Sequence, residues 1–373
     1  MKGVIIAAAA IFALLRFAAP PALSKTAAPS PDVAVNRGIV QLEIGGSAGI
    51  SVRIAEDLAR LVNDGATRRL LPVIGTGALQ NIVDLKLLRG VDMAILQTDV
   101  LDYAKRQNLL PGIETSISYI TKMYNEELHL LARPEIKSVA DLANQKVNVG
   151  GRGTGTAITA GRLFDLLKIS ATTTDEDPVA ALEKLRRGEI AAVAFVAGKP
   201  APLFCELIGE NGLHFLSIPL DPAVAAAFVP ARFTAADYPG LVPYNQPVDT
   251  VAVGTMLAVA NLQPGSERYR NVVNFIDALF TGFQSLTEPG HHAKWREVNI
   301  MAELPGWRRF PPAEQWLQRS ARVAAMPSMQ DLKAIFFRFI DERQQAAGGP
   351  PLSRQDKEQL FGQFELWQKR QLP

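Results

Sequence analysis

"VNVGGRGTGTAITAGRLFDLL", residues 147–167, reads as an apolar strand, a glycine-rich turn and a helix. Gly150, Gly153 and Gly155 permit backbone angles that other residues avoid. The helix that follows points free N–H groups and the positive end of its dipole into the turn, which favours an anion there. Thr154 and Thr156 add hydroxyls. Gly150 and Gly155 have the spacing of a nucleotide phosphate loop, but Thr156 stands where that motif needs a lysine. A dinucleotide turn fails as well, because the third glycine of G-x-G-x-x-G is missing. A small-anion cradle and a plain tight turn remain.

The same strand–turn–helix pattern extends on the N-terminal side. "IVQLEIGGS" (39–47), "RLLPVIGTG" (69–77) and "VDMAILQTD" (91–99) read as buried strands. Ile54, Leu58, Leu61 and Val62 make a helical apolar face, and Leu79, Ile82 and Val83 open a helix that stops at Gly90. Strand–helix–strand order with short turns predicts a parallel sheet covered on both faces. The Pro-containing "RPEIKSVADL" (133–142) marks a crossing into a second domain with strands at 146–150 and 190–197 and helices at 155–168 and 178–187. Residues 230–247 carry four prolines and read as a long surface connection, after which 248–260 returns as a strand. Three later sets keep helical spacing and read as packing against the body: Val272–Phe283, Leu332/Ile335/Phe336/Phe339 and Leu360/Phe361/Phe364/Trp367.

The chain has 373 residues, enough for two domains at roughly 150 each. Lys2, the apolar run Val4–Leu15 and the small residues before Lys25 describe an export signal over 1–24. Removing it takes away Lys2 and Arg16, so the formal charge falls from +2 to 0. Nothing in that balance favours a nucleic acid partner. Cys205 is the only cysteine, which excludes an internal disulfide and Cys-rich metal sites. Gly45-Gly46-Ser47-Ala48-Gly49 satisfies G-x-S-x-G between a strand and a helix, the context of an esterase nucleophile. No upstream loop completes an oxyanion hole, and no histidine sits in a telling context. The adjacent His291 and His292 are expected to face solvent.

The turns at 45–49, 75–78 (with Thr76) and 150–156 each follow a strand and precede a helix, and the third strand ends in Gln97-Thr98-Asp99. If the two domains face each other, all of these meet in one cleft. Four segments in this order, "EIGGSAGI", "GALQNIVDLKLLRGVDMAILQTDV", "SVADLANQKVNVGGRGTGT" and "RRGEIAAVAFVAGKPAP", resemble the solute-binding subunits of TAXI-type TRAP transporters. That family is NMT1-like and has the type II periplasmic binding protein fold. The resemblance implies two doubly wound α/β domains joined by a hinge. Domain 1 would be 39–132 with 248–287 and domain 2 133–247, after a linker at 25–38 and before a helical extension at 288–373. It implies a non-catalytic, monomeric periplasmic receptor that needs no metal or cofactor. The receptor would close on a small carboxylate-bearing solute and deliver it to an ion-coupled permease; a sensory receptor of the same fold is the alternative. Site residues matched in this way are Gly46, Ser47, Asn81, Gln97, Asp99, Gly153, Thr154, Gly155, Thr156 and Gly198. Ala78 and Gln80 depart from the pattern, and two readings stand for Arg152 inside the anion turn: it pairs a ligand carboxylate bidentately, or it points to solvent.

Overall fold

The computed structural model describes residues 38–46, 48–207, 212–325 and 329–371. The expected export signal, the linker up to residue 37, Ser47 and the Trp367 side chain lie outside the described residues. The first part alternates: β1 (Ile39–Ile44), α1 (Ser51–Val62), β2 (Arg69–Ile74), α2 (Ala78–Leu87), β3 (Met93–Gln97) and α3 (Thr98–Arg106). A single helical turn, α4 (Ile113–Ser116), leads into the 16-residue β4 (Ile117–Ala132). Then come β5 (Lys146–Asn148), α5 (Gly155–Leu167), β6 (Thr172–Thr174), α6 (Pro178–Arg186) and β7 (Ala192–Ala197). The short helices α7 (Pro202–Cys205) and α8 (Pro222–Ala227) flank β8 (His214–Phe215). After β9 (Val229–Phe233) comes the 13-residue β10 (Val248–Ala260). The remainder is helical: α9 (Glu267–Leu286), a 3-10 turn at Ala293–Glu297, α10 (Pro311–Ala325), α11 (Met329–Ala346) and α12 (Arg354–Gln371).

One mixed sheet of ten strands carries the fold in the order β2-β1-β3-β10-β4-β7-β5-β6, with β8 on β4 and β9 on β10. The strands β1, β2 and β3 are parallel to one another, and so are β5, β6 and β7. The antiparallel β4 and β10 join the two sets. β10 pairs with β9 through Val248–Ala252 and with β3 through Thr255–Val259. β4 pairs with β10 over its first part and with β7 from Glu127 to Ala132. Both long strands therefore run through two α/β lobes.

Each lobe buries both faces of its part of the sheet. In β7, Ala192, Ala194 and Val196 enter one core while Val193, Phe195 and Ala197 enter the other, the period of two that a strand imposes. Ile54, Leu58 and Val62 of α1 recur every four residues and are buried against β1 and α9. A fully buried Leu or Ile contributes about 2 kcal/mol. Asn63 ends α1, and its Oδ1 accepts the Leu70 N–H at 2.7 Å, tying the helix end to β2.

Four expectations are corrected. The chain does not cross at 133–142 alone, because the unforeseen β4 already spans both lobes. Residues 230–247 are not merely a surface connection: β9 pairs with β10, and Phe233, Tyr238, Leu241 and Val242 are buried in the second lobe. The region read as an extension from 288 divides. Trp295, Val298, Phe310, Ala313 and Leu317 belong to the first lobe's core, whereas α11 has no buried residue. There Phe336 meets Phe361 and Phe364 of α12, while Ile335 and Phe339 are exposed instead of packed against the body. Finally, His291 and His292 are half-buried beside Asp57, whose Oδ2 accepts the His292 backbone N–H at 2.9 Å and Trp295 Nε1–H at 3.0 Å.

Candidate functional site

Because each set is parallel, β1, β2 and β3 end toward the second lobe, and β5 and β7 end toward the first. The turns after them meet. Leu79 N–H, opening α2, donates to Gly153 O at 3.0 Å. A Cβ on Gly155 would lie 1.6 Å from Gln97 Oε1, so the Gln97 amide packs directly on the first turn of α5. Likewise a Cβ on Gly198 would lie 2.3 Å from Ile50 Cδ1. Glycine at 155 and 198 is what lets the lobes approach this closely.

The anion turn forms as the sequence suggests, with Gly150 and Gly153 in the left-handed region at φ 72° and 79°. Thr154 caps α5: its Oγ1 accepts the Ala157 N–H at 3.2 Å and donates to Gly151 O at 2.7 Å. That leaves the Gly155 and Thr156 N–H groups without intrahelical partners. Arg152 is exposed on the turn. Thr156 does other work, since its Oγ1 accepts the Val196 N–H at 3.0 Å and fastens α5 to β7. Gly46 and Thr76 are exposed on their turns. Asp99 does not end a strand as expected. It sits in the first turn of α3, buried, and accepts from Thr159 Oγ1 of α5 at 2.6 Å.

The first lobe contributes acceptors. Asn81 is buried under the β1–β2 turns and donates through Nδ2 to Ile44 O at 3.3 Å. Its Oδ1, Gln97 Oε1 and Glu43 Oε2 are buried without hydrogen-bond partners among the described residues. Burial, with Asp84 beside it, pushes the Glu43 carboxyl up to about 7. Gln97 Nε2 donates to Glu126 Oε2 at 2.6 Å. Desolvation likewise lifts Glu126 to about 7, with its neighbours Glu127 and Asp99 adding to the rise.

Sequence reasoning missed Glu43, Glu126, Glu127 and Lys294. The signal for Glu43 was one acid inside an apolar run. For Lys294 there was none. It is buried, with Nζ on Glu127 Oε1 at 2.6 Å and on Glu297 Oε1 at 2.8 Å. Glu127 Oε2 in turn accepts the Lys199 N–H at 2.9 Å. Lys199 Nζ is held within the second lobe by Arg232 O and Asp237. His129 is buried, Nε2 against Tyr238 Oη at 2.6 Å and Nδ1 against Phe195 O at 3.1 Å. Burial holds its imidazole down at about 3, hence neutral at pH 7.

Two α/β lobes sharing two long strands, with facing turns at the strand ends, make a type II periplasmic binding protein fold. Residues 48–279 match the model of the NMT1-like family, more than half of this chain, and the chain belongs to that family. Among solved structures it is similar to the periplasmic binding protein BugD, at 12% identity and a TM-score of 0.48, covering 76% of this chain and 93% of that one. It is also similar to a TctC solute-binding protein from Polaromonas, at 16% identity and a TM-score of 0.40, covering 69% and 86%. A third is the effector-binding domain of QuiR in complex with shikimate, at 14% identity and a TM-score of 0.41, covering 66% and 98%. No helix among the described residues is long and apolar enough to cross a membrane.

Proposed function

We propose that this chain is an extracytoplasmic solute receptor. It takes a small carboxylate-bearing solute between the lobes and hands it to an ion-coupled permease of the TRAP type, as a TAXI-like subunit. The observation that carries the reading is the meeting of the strand-end turns of both lobes, Leu79 on Gly153 and Gln97 on Gly155. The polarity of the two sides supports it. The second lobe offers N–H groups and Arg152 to a carboxylate, while the first offers the acceptors of Glu43, Asn81 and Gln97. A solute with a carboxylate at one end and a donor at the other satisfies both, so an acidic amino acid fits better than a plain diacid. Entry requires the turns to part, and β4 and β10 are the elements about which the lobes would move.

Calorimetric titration of residues 25–373, unfolded and refolded to strip carried-over ligand, tests this reading. The panel is glutamate, 2-oxoglutarate, succinate, neutral amino acids and nucleotides. One-to-one binding of a carboxylate at about −8 kcal/mol or better, weakened about tenfold by Arg152→Ala, is expected. Binding of nucleotides alone, or silence across all carboxylates, would overturn the reading.

A further inference from the structure

A cavity of about 260 Å³ lies where α3, α5 and β10 come together, and none of residues 150–156 lines it. Along α5, Gly155 touches Gln97, Thr159 bonds Asp99, and Arg162 reaches the cavity wall. Seven residues of helix separate Gly155 from Arg162, about 10 Å at 1.5 Å per residue. The cavity is therefore distinct from the anion turn. Its walls come from both lobes: Thr98, Asp99 and Asp102 from α3, Arg162 and Phe228 from the second lobe, and Gly254 from the shared strand β10.

The chemistry of this wall is specific. The Arg162 guanidinium lies 5.3 Å from the centre of the Phe228 ring, a cation–π contact that fixes its position. Among the described residues it makes no direct ion pair and no hydrogen bond, although its charge acts on the buried Asp99 carboxylate of the same wall, offsetting part of the rise that burial causes there. Asp99, the nearby buried acid, is occupied by Thr159 Oγ1 and the Val100 N–H. Thr98 Oγ1 donates to Gly254 O at 3.1 Å, which closes the floor between α3 and β10. Asp102 is exposed at the rim. A fixed, half-buried guanidinium whose donors have no partner among the described residues invites a hydrogen-bonding anion, for which its fork of donors is shaped. The exposed Asp102 carboxylate on the same cavity invites a cation or a strong donor.

We propose that this cavity is a second small-molecule site, separate from the interlobe turns. Its ligand is a short zwitterion, with a carboxylate on Arg162 and an ammonium group toward Asp102. The volume matches the share of roughly nine liquid waters at about 30 Å³ each, enough for a molecule the size of a short ω-amino acid. Because both lobes and a shared strand form the walls, occupancy favours this arrangement of the lobes. It therefore couples to binding at the turns, in both directions by linkage.

The test is titration of the folded chain, residues 25–373, with glycine, β-alanine, 4-aminobutyrate and 5-aminopentanoate. Butyrate and butylamine serve as half-ligand controls, and binding is read by calorimetry and ligand-observed NMR. At least one ω-amino acid is expected to bind one-to-one near or below about 1 mM, with both controls much weaker. Arg162→Gln and, independently, the rim variant Asp102→Asn should each weaken it about tenfold, about 1.4 kcal/mol. The proposal fails if no ω-amino acid binds, if butyrate binds as well as 4-aminobutyrate, or if a folded Asp102→Asn protein binds like the parent. Loss with Arg152→Ala and not with Arg162→Gln would also sink it, while leaving the receptor reading intact.

Discussion

Two ties cross between the lobes on opposite sides of the shared strands, and both hinge on a contact of 2.6 Å. On one side Thr159 Oγ1 donates to the buried Asp99 carboxylate. On the other, Lys294 Nζ bonds Glu127, which also accepts the Lys199 backbone N–H. Equal lengths conceal different physics. The first is a neutral donor on a carboxylate that burial alone would push toward its protonated form. The second is a buried ammonium between two carboxylates, where removing one charge strands the others. One tie is a single hydrogen bond between neighbouring helices; the other draws the tail, the long strand and the 198–200 turn to one point.

The charged tie should break hardest. Lys294→Met leaves Glu127 uncompensated in the interior and should cost about 3–5 kcal/mol, read as a fall in the urea midpoint at unchanged slope. Adding Glu127→Gln should recover part of that loss, and full additivity of the two changes would show that they are not coupled. The neutral tie should break more gently. Thr159→Val removes the side chain that, among the described residues, alone donates to Asp99, and should cost about 1–3 kcal/mol, a loss that Asp99→Asn should largely absorb.

Glu126 lies between the ties and feels Glu127, Asp99 and Lys294 together. Its folded carboxyl titrates near 7, against 4.5 when unfolded. The folded chain thus keeps a proton that the unfolded chain has released, so stability falls as pH rises from about 4.5 to about 7. Glu126→Gln should flatten that fall by on the order of 1–2 kcal/mol, allowing for its partial exposure. Denaturant curves at pH 5 and pH 7 read the difference. Arg152 belongs to neither tie. Arg152→Ala should leave stability within about 0.5 kcal/mol while lowering solute affinity, which separates holding the lobes from recognising the ligand.

The contrast also shows what the sequence could disclose. The Asp99 side was legible as a locus, because Gln97-Thr98-Asp99 follows an apolar run and precedes a helix. Its role was not, since Asp99 opens α3 and faces Thr159 instead of open solvent. The glycine-rich turn was legible almost residue by residue, because cap, positive φ and helix start are local properties. The Lys294 side was silent. Glu127, Lys199 and Lys294 lie far apart in the chain, and a lysine before Trp295 reads as surface until the fold buries it. β4 escaped because "ISYITKMYNEELHLLA" mixes charges into a buried strand, and those acids are the ones the crossing needs.

If the lobes part and close on a carboxylate solute as proposed, the distance between them must change when that solute binds. Spin labels on the exposed native Cys205 and on Arg89→Cys, an exposed site after α2, report the distance between the lobes directly. Saturating glutamate should collapse a broad distance distribution, by electron–electron double resonance, into one shorter population, while leucine leaves it unchanged. Identical distributions with and without each carboxylate of the panel would mean that the lobes do not close on such a solute.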